Sequence, residues 1–231
     1  MNYEKPILFS TDMVKAILEG RKTQTRRVVK LPMYHPDVEG KKSFDIKGME
    51  VFDENGCLEG MLKCPYGKPG DLLWVRETWA MFLDGFLRKS TNEIFKGVKW
   101  KPSIHMKKVY AQIWLEITDI RVERLNDISE EDAEAEGVLV YEDGTYRNYF
   151  KKKGLREQDG VECLLAKGSF QSLWDSINDK PAKNWTANPW VWVISFKVLS
   201  TTGKPNQESG AGDDYPVIEA YHKVKEAVHA N

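Results

Sequence analysis

Apolar residues recur along this chain at two spacings, and the spacing separates helices from strands. Met13, Val14, Ile17 and Leu18 repeat at helical intervals, which predicts a helix from Asp12, capped by Ser10 or Thr11 and ended by Gly20. Phe170, Leu173, Trp174 and Ile177 do the same in a second helix that opens at Ser169 and stops at Asn178 and Pro181. A third helix, short and acidic, opens with the capping-box layout Ser129-Glu130-Glu131-Asp132 and ends near Glu136-Gly137. Strands carry a different signature. Residues 6–10 read as a short one, and the turn Pro69-Gly70-Asp71 leads into Leu72-Leu73-Trp74-Val75, an apolar run suited to burial on both faces. Between Tyr110 and Thr118, Ala111, Ile113, Leu115 and Ile117 alternate with Gln112 and Glu116, the period of a half-buried strand. Trp190-Val191-Trp192-Val193-Ile194-Ser195-Phe196 is apolar at nearly every position and reads as a central strand.

The segments between these elements are polar and punctuated. Met49-Glu50-Val51-Phe52 and Cys57-Leu58-Glu59-Gly60-Met61 flank Asn55-Gly56, a hairpin signal, so residues 31–63 look like an inserted hairpin. Residues 82–108 and 139–167 read as two further insertions, 200–214 as a Gly, Ser and Pro-containing linker, and 215–231 as a helical tail with Ile218, Tyr221, Val224 and Val228 on one face. One domain over 1–199 is therefore expected, mainly β with peripheral helices (α+β), its short strands closing into a small β-barrel.

Composition narrows the function classes. With 34 Lys and Arg against 35 Asp and Glu, the formal charge is -1, which excludes nucleic-acid binding by bulk positive charge. A local patch must carry any such contact. The first thirty residues hold seven cations against three acids, and five of those cations, Arg21, Lys22, Arg26, Arg27 and Lys30, crowd around Thr23, Gln24 and Thr25. Guanidinium forks and hydroxyls in one segment suit phosphate oxygens, planar carbonyls and base edges; a solvated basic loop has the same composition. The N-terminus lacks a leader pattern and no run of eighteen apolar residues occurs, so a soluble, cytoplasmic protein without a membrane partner is expected. Three cysteines, Cys57, Cys64 and Cys163, suit reduced thiols, and the four histidines show no paired ligand spacing; no metal and no cofactor is expected.

Four motifs in order carry a family resemblance: Gly20-Arg21-Lys22-Thr23-Gln24-Thr25-Arg26, Pro69 to Glu77, the Ser129 to Gly137 acidic helix and the closing Pro189 to Phe196 strand. Over residues 5–199 the sequence resembles ASCH-domain proteins of the PUA-like superfamily, in the larger form common in bacteriophage and prophage genomes. The resemblance implies a PUA-like barrel with a cleft into which the Gly20 to Arg27 loop projects, and a ligand that is RNA, a nucleotide or a modified nucleobase. In small bacterial ASCH amidohydrolases that deacetylate acetylcytidine, a Lys and a Thr of this loop and a Glu of the acidic helix do the chemistry. Position by position these match Lys22, Thr25 and Glu136. Amide hydrolysis needs a nucleophile, a group that takes its proton and an acid for the departing amine, roles that Thr25, Lys22 and Glu136 can fill.

The same residues have structural roles open to them. Thr23 and Thr25 are good strand formers, and Glu136 is one of several acids on a short helix. Arg21, Thr23 and Arg26 are candidate ligand contacts in the loop, and Glu77 joins them from the strand-end motif. Trp74, Trp114 and Trp174 occupy core positions, whereas Trp79, at a strand exit beside charged residues, is placed to stack on a base or to pack inside. Asn188 offers an amide for a base edge or for a turn. Three functions follow: a nucleic-acid or nucleoside-binding module, a metal-independent acetylcytidine amidohydrolase, and a phage assembly protein suggested by the tethered tail.

Overall fold

In the computed structural model, residues 3–30, 45–52, 58–82, 85–91, 98–149, 162–178 and 180–205 are described. They form a mainly β, α+β structure with three α-helices among the described residues. Five strands, β1 (Glu4–Leu8), β2 (Gln24–Val28), β6 (Leu72–Arg76), β9 (Trp114–Arg124) and β10 (Trp190–Ser200), hydrogen bond in the order β1-β6-β9-β10-β2. Strands β3 (Asp45–Lys47), β4 (Glu50–Phe52) and β5 (Leu58–Met61) make a second sheet, and β7 (Trp79–Phe82) pairs with β8 (Gly85–Arg88). The expected class holds, but no sheet among the described residues closes into a barrel. Strand β1 pairs in parallel with β6, and the chain entering β2 bonds to the end of helix α2 (Glu130–Ala135).

The described residues divide between two compact units, one drawn from Ala16–Asp71 and Glu116–Lys197, the other from Glu4–Lys15 and Leu72–Leu115. In the first, β2 lies antiparallel to β10, with Thr25 opposite Ile194 and Arg26 opposite Val193. Val191, Trp192, Val193 and Ile194 are all buried, as a central strand requires. Helix α3 (Ala166–Ile177) starts before the expected Ser169, whose hydroxyl donates to the Arg147 carbonyl instead of capping the helix. Its Phe170, Leu173 and Trp174 are buried while Ile177 is exposed. The inserted hairpin is present as β4 paired with β5, its turn at 53–57 lying outside the described residues, and β3 adds a third strand that the turn signal did not announce. The linker beyond Pro205 and the C-terminal tail also lie outside them.

Helix α1 (Thr11–Leu18) begins one residue before the expected Asp12, and Ser10 caps it, its Oγ accepting from the Met13 amide at 3.4 Å. Val14, Ala16 and Ile17 are buried, but Leu18 is exposed, so the apolar stripe is narrower than its spacing suggested. Strand β9 begins and ends later than the alternating stretch that predicted it, because Lys108–Tyr110 forms a 3-10 turn.

In the second unit, Trp74, Trp79, Phe86, Met106, Ala111 and Trp114 pack as one buried cluster. Trp79 is 7% exposed; Phe86 and Tyr110 stack against it at 5.5 and 5.8 Å between centroids, and Lys101 sits 4.7 Å over its ring. Base stacking by Trp79 is therefore corrected to core packing: its ring is occupied by protein neighbours. Glu77 is likewise an interior group and not a surface contact. It is 1% exposed, its carboxylate accepts a hydrogen bond from Ser90 Oγ and lies 3.7 Å from Arg88 Nη1. Burial pushes the Glu77 carboxyl above the ordinary glutamate range, with Ser90 and Arg88 pulling it partly back.

A raised folded-state value means that the folded protein holds the Glu77 proton more tightly than the unfolded chain. Its contribution to stability is full below the unfolded value of about 4.3 and is lost as pH rises through the folded value. Glu77→Gln, which keeps an acceptor for Ser90, should remove this loss. Urea unfolding at pH 5 and pH 8 should show a wild-type midpoint that falls relative to the variant with rising pH.

Candidate functional site

The basic segment becomes a strand because helix α1 ends at Gly20, whose φ of +76 turns the chain back along its own last turn. The Lys22 amide then donates to the Ala16 carbonyl at 3.0 Å, and the Thr23 amide to the Ala135 carbonyl at 2.9 Å. Lys22 and Glu136 form an isolated antiparallel bridge, so the end of α2 covers the start of this segment. On an extended chain, side chains alternate between faces. Lys22, Gln24 and Arg26 accordingly share one face, and all three reach carboxylates of the acidic helix.

Lys22 Nζ donates to Glu136 Oε2 at 2.8 Å and to the Glu136 carbonyl at 2.8 Å. The second carboxylate oxygen of Glu136, Oε1, accepts from Arg26 Nη1 at 3.1 Å. Arg26 then reaches two more acids: Nε and Nη2 donate to Glu123 Oε1 at 3.1 and 2.6 Å, and Nη2 to Asp132 Oδ2 at 2.8 Å. Gln24 Nε2 donates to Asp132 Oδ1 at 2.8 Å, while Arg121 binds both Glu123 Oε2, at 3.1 Å, and Asp132 Oδ2. Three cations thus face three carboxylates, and the cluster is formally neutral. Ser129 fixes the other end of α2 by accepting from the Asp132 amide at 3.1 Å, as the capping layout predicted.

Burial dominates the electrostatics. The side chains of Lys22 and Arg26 are 0% exposed and that of Glu136 is 3% exposed. Burial pushes the Lys22 ammonium below the ordinary lysine range; Glu136 opposes this by charge and by hydrogen bond, and Arg27 and Arg26 add to the depression. Burial also disfavours charge on Arg26, but Glu136, Glu123 and Asp132 outweigh it and hold the guanidinium more firmly protonated. Asp132 is held below the ordinary aspartate range: burial favours its neutral form, and Gln24, Arg26 and Arg121 together overcome it.

Of the sequence-predicted catalytic residues, the structure brings Lys22 and Glu136 together and leaves Thr25 apart. Thr25 is an odd number of positions from Lys22 along an extended chain, so it points to the opposite face. Its Oγ1 is buried and has no hydrogen-bond partner. Arg26, expected to contact ligand, is enclosed by three carboxylates and the Phe170 ring, 5.8 Å from its guanidinium. Arg21 is bound to the protein at one face, donating to the Gly137 carbonyl at 2.7 Å and to Glu19 at 2.8 Å, yet stays 27% exposed. Thr23 has an exposed side chain. Asn188 serves a turn: it adopts φ +44, its Oδ1 accepts from the Asn126 amide at 2.9 Å and its carbonyl from Arg124 at 3.1 Å.

Gln24, Asp132, Glu123 and Arg121 belong to the site and were not singled out from the sequence. Two signals pointed to the first pair: Gln24 has the strand parity of Lys22 and Arg26, and Asp132 lies four residues before Glu136 on one helix face. Among the described residues, no cluster of His, Cys, Asp and Glu is arranged to hold a metal ion.

No family model and no curated protein matches the chain. Among solved structures, it is similar to a crystal structure of a protein from Enterococcus faecalis V583 described under the family name DUF984. The identity is 12% and the TM-score 0.37, over 87% of this chain and 82% of that one.

Removing one member of a buried pair leaves the other uncompensated. Glu136→Ala strands both Lys22 and Arg26, and should cost about 3–5 kcal/mol in urea unfolding. Gly137 adopts φ +84, and a Cβ placed there would lie 2.7 Å from Lys22 Cβ and 2.9 Å from Ala16 Cβ. Gly137→Ala should therefore lower the unfolding midpoint and shift Lys22 resonances, whereas Gly144→Ala, with the same φ and open space around it, should leave Lys22 unmoved.

Proposed function

We propose that this chain is an ASCH-type, PUA-like domain whose Gly20 to Arg27 segment takes a single nucleoside and hydrolyses an acyl group from its exocyclic amine. The observation that carries this reading is the Lys22–Glu136 contact: a fully buried amine, 2.8 Å from a carboxylate, with its ammonium form disfavoured. Buried titratable groups whose charged form is disfavoured cluster at sites of acid–base chemistry, and they occur in structural ion-pair networks as well. In the neutral form, Lys22 takes a proton from an attacking water as the water oxygen adds to the amide carbonyl. The carbon–nitrogen bond then breaks, and the same proton passes to the departing amine. Glu136 orients Lys22 and stabilises the transient ammonium. Acetylcytidine supplies the required bond, and acetate and cytidine are the products.

A second reading, binding of a nucleotide or modified base without turnover, is favoured by Thr25, whose hydroxyl does not engage Lys22. Both readings favour a small ligand over a phosphate backbone, because Lys22 and Arg26 are already committed to carboxylates.

Incubation of the protein with acetylcytidine, followed by chromatography of the products, tests the first reading. Cytidine should accumulate, and Lys22→Met should slow its release by about 100-fold or more. A wild-type protein that binds acetylcytidine in calorimetry and releases no cytidine establishes the second reading in its place.

A further inference from the structure

We propose that Arg26 is a positioning residue for the Lys22–Glu136 pair: its guanidinium holds Oε1 of Glu136 so that only Oε2 faces the Lys22 amine. The inference rests on the reading of Lys22 as a base, and it reassigns Arg26 from a ligand contact to a group that acts through another.

Glu136 has two oxygens and two cationic partners, Arg26 Nη1 at 3.1 Å on one and Lys22 Nζ at 2.8 Å on the other. A carboxylate shared in this way stabilises the ammonium of Lys22 less than an unshared one. Arg26 also repels that ammonium directly. Both effects favour the neutral amine, the form that accepts a proton. Among the described residues, the charged groups that act on Lys22 include Glu136 at the end of α2 and Arg26 and Arg27 on β2. Arg26 touches the same carboxylate that Lys22 uses.

The arrangement requires the fork of an arginine. Nη1 serves Glu136, while Nε and Nη2 serve Glu123 and Nη2 also serves Asp132, so one planar group spans three acids. Arg121 and Gln24 fix those outer acids in turn. A lysine carries charge to the same place and cannot hold all three carboxylates in a plane.

The test uses the full chain with isotopically labelled lysine, and follows the Lys22 side chain by NMR titration without substrate. Arg26→Met paired with Glu123→Gln removes one cation and one acid, leaving Glu136 to Lys22 and Asp132 to Gln24 and Arg121. Its Lys22 midpoint should rise by about one pH unit, a tenfold loss of the neutral amine well below the midpoint. Arg26→Lys should show a smaller rise in the same direction, and it serves alone if the double variant does not fold. The rising limb of the acetylcytidine rate against pH should move with the midpoint. A folded variant with lowered urea resistance and an unmoved Lys22 midpoint overturns the proposal, because a purely structural Arg26 gives that result. A shifted midpoint in a protein without deacetylase activity supports the positioning role and refutes hydrolysis instead.

Discussion

The buried ion-pair cluster between strand β2 and helix α2 is the constraint on which the site depends. Lys22 and Arg26 are taken entirely out of water, a step that costs several kcal/mol per ion unless each charge finds opposite charge at hydrogen-bond distance. Glu136, Glu123 and Asp132 supply it, and Gln24 and Arg121 satisfy what remains of the carboxylates. Because no member can leave alone without stranding another, the strand and the helix are held in one register. The backbone contacts from Lys22 to Ala16 and from Thr23 to Ala135 fix the same register independently.

This arrangement changes the meaning of the basic segment. A run of five cations within ten residues reads as an electrostatic footprint for phosphate, and in the fold two of them, Lys22 and Arg26, face inward. Charge engaged by internal carboxylates offers no counterion release, whereas a neutral, buried polar network is compatible with the small ligand proposed above. Burying an amine beside one carboxylate and two guanidinium groups also disfavours its ammonium form. The stabilising role of the cluster and the chemical role proposed for it thus have one physical origin, the low local dielectric.

The aromatic residues illustrate the limits of local reading. Trp79 follows a strand and sits among Arg76, Glu77 and Thr78, a setting equally suited to a surface platform and to a core. What decides it is the β7–β8 pairing, which brings Phe86 onto its ring, together with Tyr110 from the turn before β9. Glu77 follows it inside, where Ser90 and Arg88 are its partners. Phe86 comes from the next strand, whereas Tyr110 is distant in sequence.

Helices α1 and α2, the β4–β5 hairpin, the apolar strands β6 and β10 and the pairing of a Lys with a Glu were legible in the sequence. Each rests on periodicity, caps or turns within a few residues, or, for Lys22 and Glu136, on the motifs of a resembling family. The segment read as a loop, with Thr25 beside Lys22, is largely a strand, and its parity groups Lys22 with Gln24 and Arg26 and turns Thr25 away. Tertiary structure alone decided that this face meets α2, that Glu123 and Arg121 complete the cluster from β9, and that the described sheets remain open. The physical reason is that side-chain periodicity assigns residues to a face of their own element, while the partner for that face is chosen by contacts across a hundred residues of chain.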